Sequence, residues 1–493
     1  MINLDAIKTI YFVGIGGIAM SAVACIAKEM GYEVVGSDSQ DVYSPAKDVI
    51  DEADLNYFIG YNQENIKNSK ADLYVLSAGE GLENPEVKYI LDSDLPYVGF
   101  VELMYELSKD YLRVVVTGTH GKSTTAGLLG SVLKGLDDSS FLTGGVLQNS
   151  GKNFHLGTGH YFVFEGDEYK NLFNDPTPKF HFYKPDILVL TNLEYDHPDL
   201  FSSFQDLQNE FEQLIANLPE DGLLVYNADD ANLVKLAEKT EVAKVSFGVD
   251  NTADFKVEQI KYGREYTEIE VFNKFSNNIS SALLGQTEQY KIQLPGKLNV
   301  YNALAVIATL RALGFKQADI QLDLLVYQGI KRRFELIGVK NQITVIDDYA
   351  HHPTAVRETL SATRLRYFPL PPNTQHLTPS PKLWAVFEPH TFSRTKATLA
   401  DLVKSFELAD EVLIAEIYPA REKVADANIT SAQVIDAIIN QQSAISKQQT
   451  VRRVKDQQEA LQILKKELKP GDVVIIMAVG NFNRLGYELI SIL

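Results

Sequence analysis

One stretch constrains this chain more than any other: RVVVTGTHGKSTTAG, residues 113–127. Its valines are β-branched and favour a strand. Gly118 and Gly121 then flank a tight turn, and Lys122, Ser123 and Thr124 open a run of small helix formers. A strand, a glycine turn and a helix start bring backbone N–H groups and the positive end of a helix dipole to one point, which favours an anion. Lys122 supplies a cation for outer phosphates and Ser123 a hydroxyl for Mg²⁺. Val116 stands where the full G-x-x-x-x-G-K-S/T pattern has its first glycine, so the loop is a short variant. Gly118, Thr119, His120, Gly121, Lys122, Ser123 and Thr124 are the expected nucleotide contacts.

A strand feeding such a loop belongs to a parallel sheet covered by helices. The rest of the chain repeats that pattern. TIYFVGIGGIAMSAVACIAKEMGYEVVGSD reads as strand, glycine turn, helix to about Met30, Gly31 as C-cap, and second strand. Its GIGGIAMS departs from G-x-G-x-x-G, because Ala19 holds the last glycine position. Gly14, Gly16 and Gly17 still allow close backbone approach to a pyrophosphate, with a tight turn as the plain alternative. Ser37 and Asp38 end the next strand, where a ribose or base would lie. ADLYVLSAG and LPYVGF extend this first sheet.

In the second region YFVFEGDE, DILVLTNLEYDH and GLLVYNADD read as buried strands with polar ends. Ligands of open α/β sheets sit at the carboxyl ends of strands. Glu165 is placed there as an acid for Mg²⁺. Asn192 and His197 end another strand; Mg²⁺ prefers oxygen, so His197 fits a structural hydrogen bond as readily as a metal. Asp167 and Glu168 read equally as solvated charges. DFKVEQIKYGREYTEIEVF alternates as an antiparallel excursion would, and NVYNALAVIATLRALG reads as a helix stopped by Gly314.

The third region, from about Gly329, holds the strands ITVIDDYAHHP, LWAVFEP, EVLIAEIY and DVVIIMAVG. Arg333, in KRRFE, suits a phosphate or a solvated turn. His352, after the acids of DDYAHHP, and Arg394, in EPHTFSRT, stand at strand ends where a substrate carboxylate or amine would meet them. Residues 367–382 are rich in Pro and Thr and read as an exposed loop.

A chain of 493 residues exceeds one core and points to three domains. A net charge of −19 argues against general nucleic-acid binding. Cys25 is the only cysteine, which rules out an intrachain disulfide and fits a cytoplasmic protein. No signal segment and no apolar run of about 18 residues is present, so no membrane association is expected.

The motifs GIGGIAMS, GTHGKSTT, EGDEY, TNLEYDH, PGKLNVYNA, RRFE, DDYAHHPT and EPHTFSRT, in this order, resemble the Mur ligases, ATP-dependent amide-forming enzymes of peptidoglycan synthesis. The resemblance runs nearly end to end. It implies an α/β fold in three domains: a Rossmann-like UDP-sugar domain at 1–111, a central P-loop ATPase domain at 112–328, and a Rossmann-like, amine-delivering domain at 329–493. It implies ATP and Mg²⁺, UDP-N-acetylmuramate as substrate, and a monomer or homodimer. The implied reaction joins L-alanine to the muramoyl carboxylate through an acyl phosphate. The alternative acceptor is the tripeptide L-alanyl-γ-D-glutamyl-meso-diaminopimelate, used by a recycling ligase of the same branch. GSDSQDVYSP and GGVLQNSGKNFHLG look like the tripeptide enzyme, while EPHTFSRT and IYPAREK look like the alanine enzyme. Acceptor choice belongs mainly to the last domain, which favours alanine.

By the same resemblance Ser123 and Glu165 hold one Mg²⁺, and His197 helps hold a second. Asn192 positions the phosphoryl group, Asn299, Asn302 and Asp348 meet the nucleotide, and Arg333 reaches its phosphates. His352 and Arg394 orient the reactants. Three positions depart from the family pattern: Leu298 replaces a histidine, Thr391 an arginine, and Asn481 an aspartate. Leu298 and Asn481 motivate a non-enzyme alternative, a nucleotide-binding protein that kept the fold and lost turnover.

Overall fold

The computed structural model describes residues 2–196, 200–275, 285–368, 380–420, 422–423, 428–444 and 449–493. Three large sheets follow one another along the chain, with a two-stranded one, Lys170–Leu172 against Asp175–Pro178, in the middle region. The first is wholly parallel, in the spatial order Asn56–Ile59, Glu33–Asp38, Thr9–Val13, Leu73–Leu76, Tyr97–Gly99. Chain order reverses direction at Thr9–Val13, and the glycine turn leaves from the carboxyl end of that strand, where such sheets bind ligands.

The middle sheet has ten strands. Its parallel centre runs Ala243–Gly248, Leu223–Asn227, Ile187–Leu190, Leu112–Thr117, Tyr161–Glu165, Ser140–Leu142. Phe255–Tyr262, Thr267–Asn273 and Gln286–Ile292 extend one edge, the last two antiparallel, as the alternation in 254–272 predicts. The third sheet is parallel through Val473–Met477, Leu383–Phe387, Glu411–Ile414 and Thr450–Arg453 on one side of Ile343–Asp348, with Glu335–Lys340 antiparallel on the other.

Central strands read as unbroken apolar runs because both faces are covered. Val114, Val115 and Val116 are fully buried. Val114 and Val116 face the cluster built on the helices Lys122–Asp137 and Lys297–Ala312. Val115 faces a second cluster that continues through Phe100 and Leu103 to Ile10 and Cys25 of the first sheet. One apolar cluster therefore runs from the first domain onto one face of the middle sheet. The predicted helix at 299–314 is Lys297–Ala312, ended by Gly314 at φ +93°. The predicted loop at 367–382 falls largely outside the described residues.

Candidate active site

Strand Leu112–Thr117 delivers the phosphate loop, and helix Lys122–Asp137 starts at its lysine. Gly118 and Gly121 adopt φ of +133° and +83°, where a side chain is disfavoured. Space forbids one as well. A Cβ on Gly118 would sit 2.2 Å from Thr191 Oγ1, and one on Gly121 would sit 2.3 Å from Asn302 Oδ1.

Ser123 Oγ donates to Glu165 Oε1 at 2.6 Å, and Glu165 Oε2 accepts from the Gly144 N–H at 2.6 Å. A hydroxyl and a carboxylate side by side are the oxygen donors Mg²⁺ prefers. Burial and the neighbouring Asp167 raise the Glu165 pKa, so the carboxylate favours a cation beside it.

Lys122 folds back onto its own loop. Its Nζ donates to Gly118 O at 2.7 Å and to Glu168 Oε1 at 2.9 Å. Glu168 is 3% exposed, so it is not the solvated charge the sequence allows. Its Oε2 is buried and has no hydrogen-bond partner. Desolvation raises the Glu168 pKa, and Lys122 opposes that rise.

Asn192 is committed to the loop: its Oδ1 accepts from the His120 N–H at 2.8 Å and its Nδ2 donates to His120 O at 2.9 Å. The site therefore uses it to hold the loop's shape. His197 lies outside the described residues.

A cleft between the middle and C-terminal domains runs past Ser123, Leu298, Asn299 and Asn302 on one wall and Arg333 and Asp348 on the other. Asn302 Nδ2 donates to Asn299 Oδ1 at 3.0 Å, and Asn299 Nδ2 donates to Pro295 O at 2.8 Å. The Asp348 oxygens accept from the Phe334 and Ala350 N–H groups, both at 2.7 Å. Asp348 thus orders the turn that presents Arg333. The two arginines of KRRFE part company. Both lie over the Tyr349 ring, but Arg332 donates to the carbonyls of Ala478, Val479 and Gly480 while Arg333 faces the cleft.

A second interdomain cleft is lined by Tyr169, Tyr349, His390, Thr391, Arg394 and Tyr418. Arg394 lies at its edge, 5% exposed, with Nη2 2.9 Å and Nε 3.1 Å from Asp196 Oδ1. Its Nη1 donates to His390 Nδ1 at 2.8 Å, which fixes that imidazole as acceptor. Thr391 takes φ +58° and ψ 149°, a region nearly reserved for glycine. His352 caps helix Pro353–Tyr367 by position only. Burial and the nearby His120 push its pKa down to about 4. An imidazole of that strength is neutral at neutral pH.

In the first domain Gly14 turns at φ +78°, and the Gly16 N–H donates to Asp38 Oδ2 at 2.8 Å. Asp38 thus fixes the glycine turn. Ser37 is fully buried and donates to Glu86, so its hydroxyl does not face a ligand, contrary to expectation. The sequence reading missed Glu86 and Glu194. Glu86 lies in a helix with no motif around it. Glu194, beside the anticipated Asn192 and Asp196, accepts from His120 and from Thr354 of the C-terminal domain.

Three family models match in succession: "Mur ligase family, catalytic domain" over residues 9–112, "Mur ligase middle domain" over 116–310, and "Mur ligase, glutamate ligase domain" over 332–480. Two UDP-N-acetylmuramate–L-alanine ligases, from Clostridium acetobutylicum and Acetivibrio thermocellus, are each 34% identical. They match over 99% of this chain and over 98% and 96% of their own lengths. Among solved structures, a UDP-N-acetylmuramate–alanine ligase from Thermotoga maritima superposes with a TM-score of 0.77 at 24% identity, covering 98% of each chain. A murein peptide ligase from Psychrobacter arcticus superposes with a TM-score of 0.68 at 26% identity, also covering 98% of each.

Proposed function

We propose, on the premise that the chain belongs to the Mur ligase family, that it joins L-alanine to the carboxylate of UDP-N-acetylmuramate at the expense of ATP. One observation carries the reading. Ser123 of the middle domain, hydrogen-bonded to Glu165 and next to Lys122 in the chain, faces Arg333 of the C-terminal domain across one cleft, in a chain related over its whole length to alanine-adding ligases.

A carboxylate is a poor electrophile and needs activation. The γ-phosphoryl of ATP passes to the muramoyl carboxylate, giving an acyl phosphate. The amine of L-alanine attacks its carbonyl carbon, and phosphate leaves from the tetrahedral intermediate. Phosphoryl transfer is mostly positioning and charge neutralisation. Lys122 supplies the cation on one side and Arg333 on the other. Asn299 and Asn302 hold the nucleotide, Asn192 and the Gly118–Gly121 turn hold the phosphate loop, and Gly14, Gly16 and Gly17 receive the UDP end. Mg²⁺, held by Ser123 and Glu165, supplies further neutralisation of phosphate charge when bound. Tyr349, His390 and Arg394 line the place of the amine. Closure of the two clefts keeps water from the acyl phosphate.

Phosphate release from ATP, Mg²⁺ and UDP-N-acetylmuramate tests the reading, with L-alanine and the tripeptide in parallel. Release with L-alanine supports it. Release with the tripeptide alone assigns the recycling reaction, and silence with both, nucleotide still bound, assigns the degenerate binding protein.

A further inference from the structure

Beyond the Ser123–Glu165 pair, the described residues bring together one group of three metal-type donors. His120 and Glu194 come from the middle domain, past the ends of strands Leu112–Thr117 and Ile187–Leu190. His352 comes from the C-terminal domain, at the start of helix Pro353–Tyr367. One donor atom of each lies within 4.8 Å of the other two. His120 Nε2 is 3.2 Å from Glu194 Oε2, and the His120 and His352 ring centroids are 4.7 Å apart. Thr354 Oγ1 donates to the same Glu194 oxygen at 3.1 Å, which orients the carboxylate.

One atom in this group has no internal explanation. His352 Nδ1 is buried and has no hydrogen-bond partner. A buried polar atom left without a partner costs its desolvation, and native structures satisfy nearly all of them. A metal ion bound through that nitrogen would satisfy it. Two imidazoles and one carboxylate suit zinc, cobalt or nickel; Mg²⁺ prefers an all-oxygen shell.

We propose that His120, Glu194 and His352 form a binding site for a divalent transition metal, zinc foremost, that ties the middle domain to the C-terminal domain beside the phosphate loop. Donors on one tetrahedral zinc lie about 3.3 Å apart, given bonds near 2.0 Å. No pair therefore has to draw in by more than roughly 1.5 Å. The site does not share a residue with the Ser123–Glu165 pair and does not depend on which acceptor the enzyme takes. An ion seated there holds the two domains in the relation seen here and so opposes opening.

Cobalt reports such a site by its visible absorption. The full chain is titrated with Co²⁺ in excess Mg²⁺ without substrates, and Zn²⁺ is then added. The expected result is one equivalent of cobalt bound in a four-coordinate spectrum, displaced by Zn²⁺. Glu194→Gln and His352→Asn should each weaken binding by at least the roughly 10–100-fold that loss of a supporting residue costs. Zn²⁺ should also raise the melting temperature of the wild type and leave that of each variant unchanged. A wild type that takes up no cobalt, a spectrum that survives in both variants, or an equal zinc shift in all three proteins overturns the site.

Discussion

Arg394 crosses from the C-terminal domain to the middle domain and lays two of its nitrogens on a single oxygen of Asp196, at 2.9 and 3.1 Å. Both side chains are nearly buried. Removing one partner of a buried pair leaves a charge without this compensation. Asp196→Ala should therefore cost about 3–5 kcal/mol. Urea unfolding measures it, and a loss below about 1 kcal/mol would show that the pair is replaceable.

Lys122 and Glu168 make a second buried pair, 2.9 Å apart, inside the phosphate loop. Lys122→Ala removes the cation needed for phosphate and strands the carboxylate. Amide formation should fall by about 10³ or more. Stability should fall by about 3 kcal/mol. Adding Glu168→Gln should restore the stability and none of the activity. If both return together, Lys122 acts only through structure.

Asp347 is wholly buried, with Oδ1 unpartnered, and burial pushes its pKa up to about 7 in spite of Arg332. Unfolded, the same carboxyl titrates near 3.8. Between those values the folded chain holds the extra proton, so this group lowers stability as pH rises from about 4 to 7 and no further above. Asp347→Asn should flatten that part of the pH–stability curve and raise the melting temperature at pH 8. An unchanged slope in the variant would count against the shifted carboxyl.

Thr391 pays for its place with a backbone that β-branched residues avoid, φ +58°. Thr391→Gly should relieve about 1–3 kcal/mol of strain. It forfeits a weak cap, the 3.4 Å bond from the Arg394 N–H, and glycine itself caps nearly as well. The melting temperature should rise in Thr391→Gly and fall in Thr391→Ala. A fall in both would mean that the hydroxyl matters more than the strain.

Leu298 lines the cleft proposed for the nucleotide, at the position where the resemblance implies a histidine. Leu298→His should add one polar contact, worth about 1 kcal/mol. That corresponds to roughly a fivefold lower KM for ATP, with kcat little changed. A higher KM would show that the apolar side chain is the better fit here.

The sheets and the phosphate loop were legible in the sequence because both are local. The valines at 114–116, the glycines at 118 and 121 and Lys122 are neighbours in the chain, and the strand and helix around them follow from β-branching and turn chemistry. Long-range partners were not legible. Glu168 reads as a surface charge until the fold brings it onto Lys122, and Ser37 reads as a ligand contact until Glu86 meets it from a helix distant in the chain. KRRFE shows the limit within one motif. The residue type predicts phosphate for both arginines, and only the turn decides that Arg333 faces the cleft while Arg332 ties down the 478–480 carbonyls.

The crowding at Gly118 and Gly121 has an effect on how this chain can change over generations. Thr191 closes one side of the loop and Asn302 the other, within 2.3 Å of any added carbon. No ordinary substitution at either glycine can be rescued by a single neighbour, because each is also held by its backbone angle. Change is sterically easier on the cleft walls, at Leu298 and Thr391, where no such double constraint holds. The loop is the fixed point around which such variants are tried.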